Sequence, residues 1–531
     1  MYRKPFLILS ILFTSILLNG QNTLPSCVIT TPHCNAYFKQ GNDINIRVYS
    51  TDLGGTFSGG SISKVEFFRD SVKLGEATSA ISNTYSFVWN DVPAGNYRIT
   101  AKATDNENAV FTSAGVIITV GTTEVKPTGL SAGKGKYLAN IIAGSIRPDF
   151  NTYWNGVTAE NGCKWGSVER TRDVMNWNNA DLIYNHAKKY NLAFRYHAIA
   201  WGSQYPDWIK NLNTTDFKAE MEEYMAAIAA RYPLIDQIDV LNENMYINTW
   251  NKQEHAAGSP YFRAGMGGPG VTGYDWAIWL FEKARFYFPN AKLVINDFEL
   301  ETNNAGLNEI LALVKVLRDR GLIDGFGTQA HYFNIDGISA TSLQNALNNM
   351  AKSGVPIFVT ELDMKGKTVS EAGQQTSYKT AFPVYWNHPA VAGITLWGYV
   401  EGATWAEGTG IFNSNGTERS AMTWLKSFVT GLPDVGYPFG NGTTTGDDMV
   451  EHQQSISVYP NPVTAGKINI ENYSADEIQS IEFIDFQGKI VKTVFPFEIK
   501  TEIQVNSLKS GMYFLKIQTE KSVISRKIVI I

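Results

Sequence analysis

The sequence predicts an α/β protein, a (β/α)8 barrel with an all-β, sandwich-like domain on either side. Three observations carry this. Between residues 136 and 430 eight apolar runs alternate with segments of helical periodicity, and a barrel of this kind needs roughly 250 residues or more. On both sides the pattern changes to short alternating segments cut by Gly, Asn, Asp and Ser. No Gly-rich phosphate loop follows the first strand, as an open dinucleotide-binding sheet would require.

In chain order, Arg3 and Lys4 precede the apolar stretch Phe6–Leu18 and then Asn19-Gly20-Gln21. This is the pattern of a secretory signal peptide over residues 1–20, too short for a comfortable membrane span. Residues 25–121 alternate as a β-sandwich would, with strands expected at Ile44–Tyr49, Val65–Arg69, Tyr85–Trp89, Tyr97–Ala103 and Gly115–Val120. The run Val65-Glu66-Phe67-Phe68 through Ala94-Gly95-Asn96-Tyr97-Arg98-Ile99-Thr100-Ala101 resembles immunoglobulin-like modules appended to secreted polysaccharide enzymes. A spacer role is preferred there over glycan binding. Three cysteines are too few for a disulfide scaffold. Cys27 and Cys34 lie close enough in sequence to pair after export, and Cys163 reads as a buried small apolar residue.

A Gly-, Thr- and Lys-rich linker over 122–135 leads into the barrel, residues 136–432. Its strands are expected at Tyr137–Ala143, Trp154–Ala159, Leu192–Trp201, Gln237–Leu241, Lys292–Ile295, Gly325–Ala330, Pro356–Thr360 and Gly393–Trp397. Helices are expected at Asn178–Tyr190, Phe217–Arg231, Tyr274–Phe286, Gly306–Arg320 and Ser342–Ser353. At or just after seven of the eight strand ends stands a hydrogen-bonding or aromatic side chain: Glu160 and Asn161, Trp201, Asn242 and Glu243, Asn296 and Asp297, Gln329 and His331, Glu361 and Asp363, and Trp397. A barrel would gather these on one rim, where its active site lies. A second linker spans 433–453 and includes the low-complexity stretch Gly440–Asp448. Residues 454–531 form a last β-rich unit. Its Tyr459-Pro460-Asn461-Pro462 opening and its Ser510-Gly511-Met512-Tyr513-Phe514 hairpin resemble the C-terminal sorting domain of the type IX secretion route, which implies a secreted or outer-surface location.

Glu243, in Ile-Asp-Val-Leu-Asn-Glu-Asn, and Glu361, in Ile-Phe-Val-Thr-Glu-Leu-Asp, each end an apolar run. Two carboxyl groups facing each other across a barrel mouth are the minimal equipment for breaking a glycosidic bond. Composition agrees with a globular protein, 44% hydrophobic and 18% charged, and thirteen Trp with 25 Tyr suit sugar stacking or a Trp-rich core equally. A net charge of −5 with no basic run gives no hint of nucleic acid. No His/Cys cluster has zinc spacing, so no metal or cofactor is expected.

Several motifs then fall in order. Phe150-Asn151 with Val157-Thr158-Ala159-Glu160-Asn161 and Lys164-Trp165, Ala200-Trp201-Gly202-Ser203-Gln204, Asn242-Glu243, Gln329-Ala330-His331, Thr360-Glu361-Leu362-Asp363, and Trp397-Gly398 with Trp405 together resemble glycoside hydrolase family 10, the retaining endo-β-1,4-xylanases. The resemblance covers essentially the whole barrel. It implies Glu243 as acid/base and Glu361 as nucleophile, supported by His331, Asp363, Asn242 and Gln329. It also implies sugar binding by Glu160, Asn161, Lys164, Trp201, Gln204, Trp397 and Trp405. Asn242 would bond the sugar 2-hydroxyl, and His331 would bridge Glu361 and Asp363. The polysaccharide and the secretion machinery are the expected partners, and the chain is expected to act as a monomer.

Two departures from the family pattern bear on substrate: Gly202 stands where a histidine that binds the −1 sugar is usual, and Phe298 where Tyr is common. Glu401 where Asp is usual is a smaller change. The arginine that often follows the second Trp is replaced by Ala406. Two alternatives stay open at this stage. The same barrel would serve another β-glycan (mixed-linkage glucan, cellulose or an algal polysaccharide), or the chain is a silent surface glycan-binding protein.

Overall fold

The computed structural model describes residues 22–55, 59–123, 128–244, 260–434, 456–464, 466–472, 478–485, 489–494, 500–519 and 523–531. The signal peptide expected at 1–20 and most of the linker expected at 433–453 lie outside these residues.

Eight parallel strands close into a barrel: β1 (Tyr137–Ile142), β2 (Gly156–Ala159), β3 (Ala193–Trp201), β4 (Gln237–Asn242), β5 (Lys292–Asp297), β6 (Gly325–Thr328), β7 (Ile357–Leu362) and β8 (Val391–Leu396). Closure is direct, Tyr137 of β1 lying opposite Gly393 of β8. The strands are buried on both faces because each is covered twice, by helices outside and by barrel contents inside. At the bottom the interior is filled by Tyr137, Ala139, Val294, Phe358 and Ala392, with Tyr137 and Phe358 stacked 6.3 Å apart. Higher up the filling turns polar. Register slips between His197 and Ala200 on β3 and between Asp239 and Leu241 on β4 mark irregularities at this level, a common way of re-aiming side chains beside a site.

The expected helices form at Asn178–Lys189, Thr214–Arg231, Asp275–Tyr287, Asn304–Arg318 and Ala340–Met350. Side-chain caps from Asn213, Asn303 and Ser339 start three of them. Among the described residues two further long helices, Glu371–Asn387 and Ser420–Thr430, are additional, beside several of a turn or two. The first contains Pro383 and buries one face, Gln374, Ser377, Tyr378, Ala381, Phe382, Tyr385 and Trp386, in which polar residues mix with apolar ones while Val384 lies only partly buried, so its apolar period is weak. No helix among the described residues is long and apolar enough to cross a membrane.

The N-terminal residues form two facing sheets, one of strands 28–31, 44–49 and 84–89, the other built on 36–39, 116–121, 95–105, 62–69 and 72–77. Ile46, Val48, Val65, Phe67, Ile99 and Ile118 fill the space between. This module is packed against the barrel rather than held away from it. The Cys34 N–H donates to Asp236 Oδ1 at 2.7 Å, and Asp236 pairs with Lys292 at 2.7 Å. The Thr51 hydroxyl donates to the Gly354 carbonyl at 2.6 Å, and Arg98 Nε to Asn290 Oδ1 at 2.8 Å. Every barrel partner here begins a strand or lies within three residues before its start, so the module covers the end opposite the catalytic rim.

The expectation that Cys27 and Cys34 pair is corrected. All three cysteines are free and buried. Each of the two has its own surroundings: Cys27 lies by Ala103 and Ser113, Cys34 against Asp236. Nearness in sequence did not bring the sulfurs together. The last unit is also all-β, a three-stranded and a four-stranded sheet around Ile468, Ile481, Phe483, Leu515 and Ile517.

Candidate active site

Parallel strands deliver their carboxyl ends to one rim, and the polar residues at those ends converge there. Glu361, the fifth residue of β7, is 4% exposed. Asn296 Nδ2 of β5 donates to its Oε1 at 2.7 Å, His331 Nε2 lies 3.4 Å from its Oε2, and Arg195 of β3 approaches Oε1 to 3.9 Å. Burial would push this carboxyl up. The His331 hydrogen bond and the charges of His197, His331 and Arg195 together outweigh it and hold Glu361 down at about 2.

Glu243 follows β4 in the left-handed region, φ 56°, a conformation that costs a non-glycine residue on the order of 1 kcal/mol or more. It is held there by its own N–H donating to the Asn296 carbonyl at 2.9 Å, while the next N–H, of Asn244, donates to Asp297 Oδ2 at 2.8 Å. Trp201 Nε1 donates to Glu243 Oε2 at 2.8 Å and Gln329 Nε2 to Oε1 at 3.1 Å. Here burial prevails. The Glu243 carboxyl is raised, the nearby Glu361 charge acting in the same direction and the Gln329 and Trp201 hydrogen bonds opposing it. Two carboxyls on one rim thus sit in opposite states, one ionised and one inclined to keep its proton.

His331 stands between the two acids of the β7 end, Nδ1 at 3.0 Å from Asp363 Oδ2. Burial lowers an imidazole, but the charges and hydrogen bonds of Asp363 and Glu361 overcome it and raise His331 to about 10. Asp363 is fixed in turn by Trp405 Nε1 at 2.6 Å and by the Tyr332 N–H at 2.7 Å.

Asn242 accepts from Asn296 Nδ2 at 2.8 Å, which settles its amide orientation and leaves its own Nδ2 buried with no partner among the described residues. An unsatisfied buried donor beside Glu361 is a standing cost unless a ligand hydroxyl meets it. Across the cleft Lys164 Nζ donates to Asn161 Oδ1 at 2.9 Å and lies 4.7 Å from the Trp201 ring. Gln204 Nε2 reaches the same oxygen at 3.4 Å. Glu160 is half-buried and raised by burial, though Lys164 nearby opposes the shift. The two tryptophans play unlike parts. Trp397 is 5% exposed, a wall packed edge-on against His197 at 5.3 Å, whereas Trp405 is 49% exposed and open to a ligand.

Beneath the rim lies a network the motifs did not suggest. Arg195 and Asp239 pair inside the barrel, His197 Nδ1 is 2.7 Å from the same carboxylate, and Arg195 Nη1 donates to the Thr360 carbonyl at 2.8 Å. Asn296 had been noted as a strand-end residue but given no role, yet it joins Glu243, Asn242 and Glu361. The available signal was Phe-Arg-Tyr-His inside an apolar strand, since a charge there needs a buried counter-ion. Among the described residues, Glu169, Asp173 and Glu220 are the acids close enough to share an ion. Glu220 is already paired with Arg172.

Opposed carboxyl states on the carboxyl rim of a closed eight-stranded barrel define a glycoside-cleaving class of protein. The chain belongs to glycosyl hydrolase family 10, whose description matches residues 125–428. A bacterial Ig domain matches residues 25–101 and a secretion system C-terminal sorting domain residues 457–531. The sorting domain marks the chain for type IX export to the outside or the cell surface. Endo-1,4-beta-xylanase B of Cellvibrio japonicus is 40% identical over 294 residues, 55% of this chain but only 45% of that protein. An endo-1,4-beta-xylanase of Agaricus bisporus is 29% identical over 279 residues, 51% of this chain and 78% of that one. Among solved structures, a psychrophilic family 10 endo-beta-1,4-xylanase is 26% identical with a TM-score of 0.50, over 56% of this chain and 99% of that one. Xylanase 10B from Thermotoga maritima, 21% identical with a TM-score of 0.50 over 56% of this chain and 96% of that one, shares the fold.

Proposed function

We propose that the protein is a secreted, retaining endo-β-1,4-glycanase whose substrate is xylan. The observation that carries the reading is the split between a Glu361 held at about 2 and a Glu243 raised by burial. Glu361 attacks the anomeric carbon while Glu243 hands its proton to the departing oxygen, which requires carboxyl groups roughly 5–5.5 Å apart. Once Glu361 is esterified its charge is gone, Glu243 loses the neighbour that helped keep it protonated, and it serves as base on the incoming water. His331 and Asp363 hold Glu361 in its reactive state. Asn242 donates its unmatched N–H to the sugar 2-hydroxyl, a contact that strengthens in the transition state. Glu160, Asn161, Lys164, Trp201 and Gln204 bind the sugar on one side of the cleft, with Trp397 as wall and Trp405 as cover. The relatives named as endo-1,4-beta-xylanases support the choice of polymer.

In this reading residues 1–20 are a signal peptide, 25–121 the immunoglobulin-like module, 136–432 the catalytic domain and 454–531 the sorting domain, joined by linkers at 122–135 and 433–453. The enzyme works as a monomer and has no nucleic-acid partner.

The test is sugar release by the purified protein from undecorated and decorated xylans, with a β-glucan and a mannan alongside. Xylan cut to short oligomers is expected. Activity confined to another polymer would move the substrate and keep the barrel chemistry. Gly202 makes a second expectation. It is buried beside Trp201 and supplies no side-chain donor to the sugar, a loss of about 1 kcal/mol or more per missing hydrogen bond. Gly202→His is expected to shift preference toward undecorated xylan, read as the ratio of kcat/KM on plain and decorated substrates. An unchanged ratio would show that this position does not set the subsite.

A further inference from the structure

The first module meets the barrel where five successive strands, β3 to β7, are entered from the helices before them. Besides the bonds of Cys34, Thr51 and Arg98, Asn35 Nδ2 donates to the Ala187 carbonyl at 3.1 Å, and the Gly115 N–H to the Pro289 carbonyl at 3.2 Å. Phe111 sits so close to Gly321 that a Cβ there would collide with its ring. At the centre of these contacts Cys34 is fully buried, with Asp236 4% and Lys292 5% exposed. A buried ion pair is tolerated where further hydrogen bonds complete it. The module both seals the Asp236–Lys292 pair and supplies one of its donors, the Cys34 N–H.

One contact opposes the rest. Arg47 of the module repels Lys136 of the barrel, whose ammonium is held by the carbonyls of Trp386 at 2.5 Å and His388 at 2.8 Å. This repulsion is confined to the entry of β1, whereas the attractive contacts lie at β3 to β7. The module's free faces do not suit a sugar. Among its described residues the exposed large apolar side chains are Leu53, Val72, Ile81, Val88 and Val110, none of them an aromatic platform, while Tyr37, Tyr85, Trp89 and Tyr97 are buried.

We propose that the module is a brace for the barrel floor, an interaction surface whose partner is the barrel of the same chain, and that the two unfold as one unit. Separate domains move against each other unless their interface ties them. Here the ties reach connections far apart in the chain, from Ala187 to Gly354, so the floor cannot open without breaking several of them. A spacer would need a tether and no such surface. The brace is independent of the polymer that the cleft accepts.

The experiment uses the full chain with a cleavage site for a sequence-specific protease inserted between Gly121 and Thr128. After folding and cleavage, the module and the barrel are expected to stay together on size exclusion. Thr51→Ala combined with Arg98→Ala, both confined to the module, provides the second measurement. All tryptophans except Trp89 lie between residues 154 and 424, so tryptophan fluorescence follows the barrel. Its thermal midpoint is expected to fall by about 3 °C in the double variant, with kcat/KM at room temperature unchanged. A module that elutes apart from the barrel, or a barrel midpoint that the double variant leaves in place, overturns the proposal.

Discussion

Glu361→Gln is expected to lower kcat on xylan by on the order of 10⁵-fold, because it removes the group placed to form the glycosyl intermediate. The glutamine nearly matches the carboxylate in size and leaves His331 its Asp363 partner, so folding should survive and a melting curve would confirm it. Glu243→Ala should behave differently. Its loss is that of a proton donor, on the order of 10³-fold on xylan. On an aryl xyloside with a good leaving group, departure needs no proton, so the first step should be largely spared and the second should limit. Added azide should then restore turnover in Glu243→Ala and yield the β-glycosyl azide, the configuration that retention demands. If both variants kept wild-type rates, the assignment of the two glutamates would be wrong. If both lost turnover without azide rescue, the division of labour between them would be.

The second large effect is expected at Arg195→Met. Asp239 is fully buried, paired with Arg195 and approached by His197. Removing the guanidinium strands a carboxylate in the barrel interior, which costs about 3–5 kcal/mol. The Thr360 carbonyl also loses its donor, and Thr360 adjoins Glu361. A sign follows for pH dependence. Arg195 is among the groups that hold Glu361 low, so without it the Glu361 carboxyl rises, and the acid limb of kcat/KM must move to higher pH. Urea unfolding measures the first effect and the pH profile the second. The companion variant Arg195→Met with Asp239→Leu removes both charges and should recover most of the stability while leaving the acid limb displaced. A single variant as stable as the wild type would show that the pair is not needed to hold the barrel.

Where signals were local, the sequence was readable. Each barrel strand is a short apolar run whose period and length belong to neighbouring residues, so β4 and β7 were placed with Glu243 and Glu361 at their ends. The pleat alone put Asp363 on the same side as Glu361. The helix at Glu371–Asn387 was not among the expected ones because Pro383 interrupts it and its buried stripe begins with the polar Gln374 and Ser377, which weakens the apolar period. Strand ends shifted by a residue or two, as at β7, where Glu361 and Leu362 remain in the ladder.

The sequence alone indicated the order of the strands and the residues at their carboxyl ends, which follow from near neighbours and from the rule that parallel strands end together. Its resemblance to a known family implied the class of chemistry those residues serve. Only the tertiary structure decided how the expected opposite charge states of Glu243 and Glu361 are held, the unmatched amide of Asn242, and the Arg195–Asp239–His197 support. It also decided the separate burial of Cys27 and Cys34 and the docking of the first module against Asp236. The physical reason is common to them. Each depends on how deeply a group is desolvated and on which charge from a distant part of the chain stands within a few ångströms, and neither quantity is written in spacing along the chain.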